Sequence, residues 1–281
     1  MRLSKLLDRS GLARMWYLQT SVMRGVLLMC LSTLAFAGMH VTVRHVSGEL
    51  PALQIVFFRN FFALLVLLPV LIVGGRASLR TDKIWLHLLR SLINICAMMM
   101  FFTAVTIMPL AKATALGFVA PVIAAALSVL FLGERFRAHR WAAIGIGFVG
   151  MLIILRPGLV VMDTGSVLVV CAASLWAVTL IMIKILSRTD SSITIVAWMG
   201  LNMSLFSLGP ALWVWQTPSM VAWCWLLLIG FLGAVAQVTL SQSLKETDPT
   251  AVLPFDFLKL IWAALLAAWL FDEIPDMYTL I

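Results

Sequence analysis

The stretch PLAKATALGFVAPVIAAALSVLFLGERFRAHRWAAIGIGFVGMLIIL, Pro109 to Leu155, decides the fold. It reads as an apolar run of helical length ending at Gly133-Glu134, a short basic turn, and a second apolar run. Asp248 to Glu273, DPTAVLPFDFLKLIWAALLAAWLFDE, reads as the return of its first part. A shift of 139 residues carries Glu134 onto Glu273 and also matches Ala124 with Ala263, Ala125 with Ala264 and Leu127 with Leu266. Outside that stretch, a shift of 141 carries Thr33-Leu34 onto Ser174-Leu175 and Pro69 onto Pro210. Leu and Ala matches are weak singly, but three landmarks in order at nearly one offset point to two copies of one unit.

The chain of 281 residues is 63% hydrophobic and 11% charged, against about 45–50% and about 25% in soluble domains. Crossing a hydrocarbon core takes about 20 apolar residues as helix, and backbone groups without water must bond within helices or closed barrels. The unalternating runs predict helices at 25–43, 52–73, 85–108, 111–132, 141–155, 166–186, 193–215, 221–242 and 250–271. The expected fold is an all-α integral membrane protein of two inverted five-helix repeats. Residues 1–24 form an N-terminal tail, 25–157 the first repeat and 163–281 the second. The second repeat is expected to lack most of its last helix, as if truncated.

Five helices is an odd number, so a second copy enters from the opposite side and the repeats are inverted. The net charge of +8 invites a nucleic-acid partner, but its distribution argues against one. With the N-terminus in the cytoplasm, fourteen basic residues fall on the cytoplasmic side, and Arg44 and Arg156 on the other. That is the asymmetry that orients multi-pass proteins. It predicts a multi-pass protein of the cell (inner) membrane with a cytoplasmic N-terminus and no nucleic-acid partner. The first run continues past Ala35-Phe36-Ala37 into Met39-His40-Val41, so it reads as a retained span and not as a cleaved signal. Cys30, Cys96, Cys171 and Cys224 lie in different runs without CxxC spacing and read as structural thiols.

Polar residues inside apolar runs mark the candidate site. Arg59-Asn60 lies near the middle of the second run, where an arginine costs about 2.5–3.5 kcal/mol and usually faces a cavity. It is about eight residues, or about 12 Å of helix, from Pro51, a long way to snorkel. In the third run Arg90 and Asn94 share a helix face; Arg90 is near enough to the end for snorkelling to remain open. His40 reads as an interfacial, solvated side chain. Trp176, Asn202 and Gln237 interrupt the later runs, and Asp256 and Lys259 lie three apart deep in the ninth, with Trp262 one turn on. These ten residues are the candidate solute-binding set: Arg59, Asn60, Arg90, Asn94, Trp176, Asn202, Gln237, Asp256, Lys259 and Trp262. Pro121 is expected to kink the fourth helix. Glu134 and Glu273 read as structural latches just past helix ends.

The embedded charge is net positive, with Asp256 the one deep carboxylate, so a passing carboxylate or phosphate could complete Arg59. The expected partner is therefore a small anionic or zwitterionic metabolite, such as an amino acid or related compound, in a lipid bilayer. Inverted repeats with a midplane site permit alternating access. A membrane enzyme is disfavoured: His40, His45, His87 and His139 lack HExxH-like spacing, no phosphate-cradling Gly-Lys-Ser/Thr loop is present, and no metal or cofactor is expected. The alternative is a non-transporting structural or regulatory subunit. Oligomeric state is open, a homodimer among the options.

FFRNFFALLVLLP, LGFVAPVIAAALSVLFLGER and GIGFVGMLIILRPG resemble the drug/metabolite transporter superfamily, specifically its EamA-type members with two tandem domains. The resemblance covers essentially the whole chain. It implies ten helices in two inverted repeats and secondary transport of small metabolites. It matches Arg59 to the family's second-helix arginine, Pro121 to the proline of its fourth helix and Glu134 to the Gly-Glu after it. The second half departs from the pattern, with Phe271-Asp272-Glu273 for Gly-Glu and Leu260 where the proline is expected. FFRNFF, LHLLRS and PFDFLK also resemble the branch that includes S-adenosylmethionine uptake carriers, with amino-acid, nucleotide-like or riboflavin-type cargo also open.

Overall fold

The computed structural model describes residues 19–75, 79–117, 119–132, 145, 149 and 163–271. The described elements are all helical: α1 (Ser21–Val46), α2 (Ala52–Gly74), α3 (Ile84–Ile107), α4 (Leu110–Gly117), α5 (Val119–Leu132), α6 (Thr164–Ser187), α7 (Ser192–Trp213), α8 (Met220–Glu246), α9 (Pro249–Val252), a 3-10 helix (Leu253–Phe257) and α10 (Leu258–Phe271). Among them are seven stretches long and apolar enough to cross a membrane. The fifth apolar run, Glu134 and Glu273 lie outside the described residues apart from two positions of that run, and the Pro121 side chain is also outside them.

Helix starts follow local chemistry. Thr20, Asp163, Ser191 and Ser219 each accept a hydrogen bond from a backbone N–H two or three residues into the helix that follows, which satisfies one orphan donor per helix. The fourth predicted run is observed as α4 and α5, on either side of residue 118, which lies outside the described residues. The ninth is divided, because Pro254 sits in the 3-10 segment between α9 and α10 and cannot donate a backbone hydrogen bond.

Packing pairs the two halves. α1 packs against α8 and α3 against α6; α2 packs against α7 and α8, while α7 touches α3; α5 meets α6, and α10 meets α1. Exchanging the runs of the first half for those of the second maps α1–α8 onto α3–α6, α2–α8 onto α3–α7 and α5–α6 onto α1–α10, and α2–α7 onto itself. Pro69 and Pro210, the landmarks 141 residues apart, both sit inside helices of the contacting pair α2 and α7. Small residues allow the close approaches. The Ser32 hydroxyl donates to the Ala236 carbonyl at 2.8 Å and that of Ser243 to the Gly25 carbonyl at 2.7 Å, which ties α1 to α8. A Cβ on Gly230 would collide with Phe62 of α2, including its carbonyl carbon at 2.9 Å. Outward faces carry exposed Ile72, Leu130, Leu205, Phe231 and Trp269, which suits lipid contact.

Hydrogen bonds join the halves at both ends of the bundle. At one end Gln54 donates to the Gln216 carbonyl at 2.6 Å and accepts from the Gln216 N–H at 2.9 Å, while Glu49 accepts from the Ser219 N–H at 2.8 Å. At the other, Asp190 accepts from Thr81 Oγ1 and pairs with His87 Nε2, both at 2.7 Å, and Arg24 pairs with Glu246 at 2.9 Å. Burial pushes the Asp190 carboxyl up, but hydrogen bonds from His87, Thr81 and Thr189 outweigh it and hold the group below the usual carboxylate range. Asp163 is also held low, chiefly by its hydrogen bond from Lys112 at 2.6 Å.

Candidate functional site

α2 is the most apolar of the long helices before α6, yet it carries Arg59 in its buried face, 1% exposed. The sequence permits this because the guanidinium has backbone and amide partners in place of a carboxylate. Nη1 donates to Asn60 Oδ1 at 2.7 Å and Nη2 reaches the Gly233 carbonyl at 3.5 Å, whereas Nε is buried without a partner. Gly233 makes the space: a Cβ there would stand 2.8 Å from Arg59 Nε. Asn60 is in turn held by donating to the Val56 carbonyl at 2.8 Å.

Arg90 of α3 is also 1% exposed, so it does not snorkel. It reaches the Ile195 carbonyl at 3.5 Å and Met199 Sδ at 3.4 Å, both weak contacts, and its Nε has no partner. Asn94, one turn on, points its amide at Met203 Sδ, 3.2 Å away. Among the described residues neither guanidinium has an acidic partner within ion-pair distance. Asp256 and Lys259 do pair, with Lys259 Nζ 2.8 Å from Oδ1 and 2.9 Å from Oδ2, and the ammonium also stands 5.4 Å from the centre of the Phe36 ring.

These groups meet in one cavity of about 100 Å³ between the halves. Arg59, Arg90, Asn94, Trp176, Gln237, Asp256 and Lys259 all line it. The other three candidates stand apart from its wall. Asn60 braces Arg59 from behind; Asn202 is buried with its amide 3.5 Å from Ser91 Oγ; Trp262 is half-buried with its indole N–H unpaired. Among the described residues the wall holds three cationic side chains against one carboxylate, and that carboxylate is already engaged. It can therefore accept an added negative charge without an unpaired carboxylate facing it.

Several wall residues were not legible as such. His40 is expected to be solvated, but α1 runs on to Val46, which places the imidazole deep in the bundle, 5% exposed and 4.8 Å from the Phe101 ring. Phe36, Phe101 and Phe102 also line the cavity; an aromatic ring in an apolar helix carries no contrast that singles it out. The run Met98-Met99-Met100, by contrast, reads from sequence as a candidate adaptable wall with most of its members packing, and Met98 faces the cavity while Met99 and Met100 pack against the core.

The sequence profile of the EamA-like transporter family matches residues 23–156 and again 163–281. The chain is 35% identical over 260 residues to a riboflavin transporter of Vibrio cholerae, covering 90% of this chain and 87% of that protein. It is 29% identical over 250 residues to an S-adenosylmethionine uptake transporter of Rickettsia bellii, covering 89% and 86%. It is 29% identical over 261 residues to the pseudopaline exporter of Pseudomonas aeruginosa, covering 91% and 90%. One solved crystal structure superimposes with a TM-score of 0.69 over 92% of this chain and 90% of its own, at 18% identity, a likeness of fold. With both halves matched and seven described stretches able to span a bilayer, this multi-pass membrane protein belongs to the EamA-like transporter family.

Proposed function

We propose that the protein carries a small metabolite with an anionic or zwitterionic group across the cell membrane by alternating access, and that Arg59 and Arg90 hold the anionic group. The observation that carries this reading is the pair of buried guanidiniums that share one cavity with no acidic partner among the described residues. A buried unpaired cation is costly, and a carboxylate or phosphate delivered by the solute removes that cost while bound. Two charged hydrogen-bond donors with free Nε–H groups suit an oxygen-bearing anion. Relatives named for S-adenosylmethionine, riboflavin and pseudopaline support a metabolite as cargo; the first of these compounds carries a carboxylate.

Two repeats, 25–157 and 163–281, rock about the cavity in this reading, with the cavity near the midplane. The asymmetry of the basic residues supports a cytoplasmic N-terminus, and in this reading the protein lies in the inner membrane of the cell. The test is Arg59→Gln in proteoliposomes, with riboflavin, S-adenosylmethionine and a panel of amino acids as cargo. Transport of an accepted solute falls by about tenfold or more, as expected for loss of a charge-assisted bond, while the melting temperature in detergent barely moves. Equal transport by wild type and variant overturns the assignment.

A further inference from the structure

The two arginines leave part of the cavity wall without a use. Gln237 of α8 is 8% exposed, and its Oε1 is buried without a hydrogen-bond partner among the described residues. His40 of α1, 5% exposed, has a buried Nδ1 in the same condition. Both line the cavity that Arg59 and Arg90 enter. An amide oxygen only accepts, so Gln237 needs an N–H or O–H; a guanidinium only donates, so the arginines need oxygens. An anionic group with no donor of its own, such as a carboxylate, cannot meet both demands. The occupant that does so carries an acceptor-rich anionic end and, elsewhere, an edge with a donor.

The surface beside Gln237 and His40 limits the shape of that second part. Phe101 stands 4.8 Å from the His40 ring and 4.9 Å from Trp176, and Phe36 lies 6.1 Å from His40, ring centre to ring centre. All of these rings face the cavity. An aliphatic chain would fill such a wall but leave Gln237 unanswered. A flat ring can lie against aromatic faces and edges while its rim makes hydrogen bonds. Buried water could also satisfy Gln237 and His40, in which case ring and chain would bind alike.

We infer that Gln237, His40 and the surrounding Phe36, Phe101 and Trp176 form a second subsite, which binds a flat nitrogen-heteroaromatic ring of the solute with an edge N–H donated to Gln237 Oε1. The inference rests on the transport reading above, because it assumes that the cavity takes solute. It makes Gln237 and His40 specificity residues, separate from the charged end.

Binding to purified protein in nanodiscs tests it with two matched pairs of probes: riboflavin against ribitol, and S-adenosylmethionine against methionine. In each pair the second member lacks the ring. The wild type binds at least one ring-bearing probe about tenfold more tightly than its ringless counterpart, the scale of one buried hydrogen bond plus stacking. Gln237→Met, similar in length but without the acceptor, narrows that ratio to about threefold or less. His40→Phe, which keeps a ring of similar size and removes Nδ1, narrows it too, and His40→Asn recovers part of it. His40→Phe also guards against misfolding of the Gln237 variant. Ring-bearing probes that bind no better than their counterparts overturn the subsite, as does a ratio that survives both substitutions. Arg59→Gln separates the two readings. It weakens S-adenosylmethionine and methionine together and leaves their ratio in place; a ratio that responds to Gln237 while Arg59→Gln changes nothing sinks the anion assignment and spares the ring subsite.

Discussion

Arg59 shows how a charge is kept inside an apolar bundle. It has lost almost all its water, and Asn60 Oδ1 and the Gly233 carbonyl replace only part of that hydration. What remains is an oriented donor held in the wall. Gly233 fixes the orientation by giving up its side chain, so Gly233→Ala puts a methyl 2.8 Å from Nε and forces the guanidinium aside. The expected result is a loss of transport of about tenfold with a destabilisation of about 1–3 kcal/mol, measured as uptake beside a detergent melt. Asp256 and Lys259 act differently because they answer each other. Asp256→Asn or Lys259→Gln strands one partner and costs about 1.5–3 kcal/mol, whereas exchanging the two residues retains most of the transport that either single change removes. An inactive exchange variant would show that each charge matters by its position. Arg59, Arg90 and the Asp256–Lys259 pair are legible in the sequence because charge stands out in an apolar run. Gly233 and His40 are not: the value of a missing side chain, or the surroundings of an imidazole, depends on a helix far away in the chain.

At the scale of the element, hydropathy alone locates the helices to within a few residues, because a spanning segment has one requirement that every residue in it must meet. It underestimates α1 and α8, whose polar last turns lie beyond the apolar run but are still helical. It also draws the ninth run as one helix, although Pro254 leaves α9, the 3-10 turn and α10 in its place. Close packing is the property hydropathy cannot see. Gly230 and Gly209 look alike in the sequence, both glycines in apolar helices. Against α2, Gly230 has no room for a methyl, whereas at Gly209 a methyl would meet only its own chain neighbour, Pro210. Gly230→Ala therefore destabilises by about 1–3 kcal/mol, while Gly209→Ala costs less, through the crowding of a helical residue against the proline that follows it. Thermal unfolding of both variants in one detergent checks the order.

For the molecule as a whole, the offset of 139 to 141 residues foreshadows a packing pattern in which exchanging the halves maps one set of helix contacts onto another. Periodicity within a chain is visible without coordinates. The bonds that close its two ends are not, since His87 and Asp190 are separated by 103 residues and Glu49 and Ser219 by 170. Those bonds matter for mechanism because the cavity lies between them: a carrier that opens to each side in turn must break one set while keeping the other. Locking either end should then stop turnover. In a background with Cys30, Cys96, Cys171 and Cys224 replaced, Thr81→Cys with Asp190→Cys joins one end, where the native side chains meet at 2.7 Å. Glu49→Cys with Ser219→Cys joins the other, where they meet at 3.1 Å. Bridging either pair with a mercuric ion is expected to reduce proteoliposome uptake by about tenfold or more, with recovery on adding excess thiol. Since each lock leaves the opposite end free, solute binding persists in both, which separates an arrested cycle from a ruined site. Full-rate uptake with one end bridged would mean that this end never opens, and the carrier would have to work by a route that bypasses it.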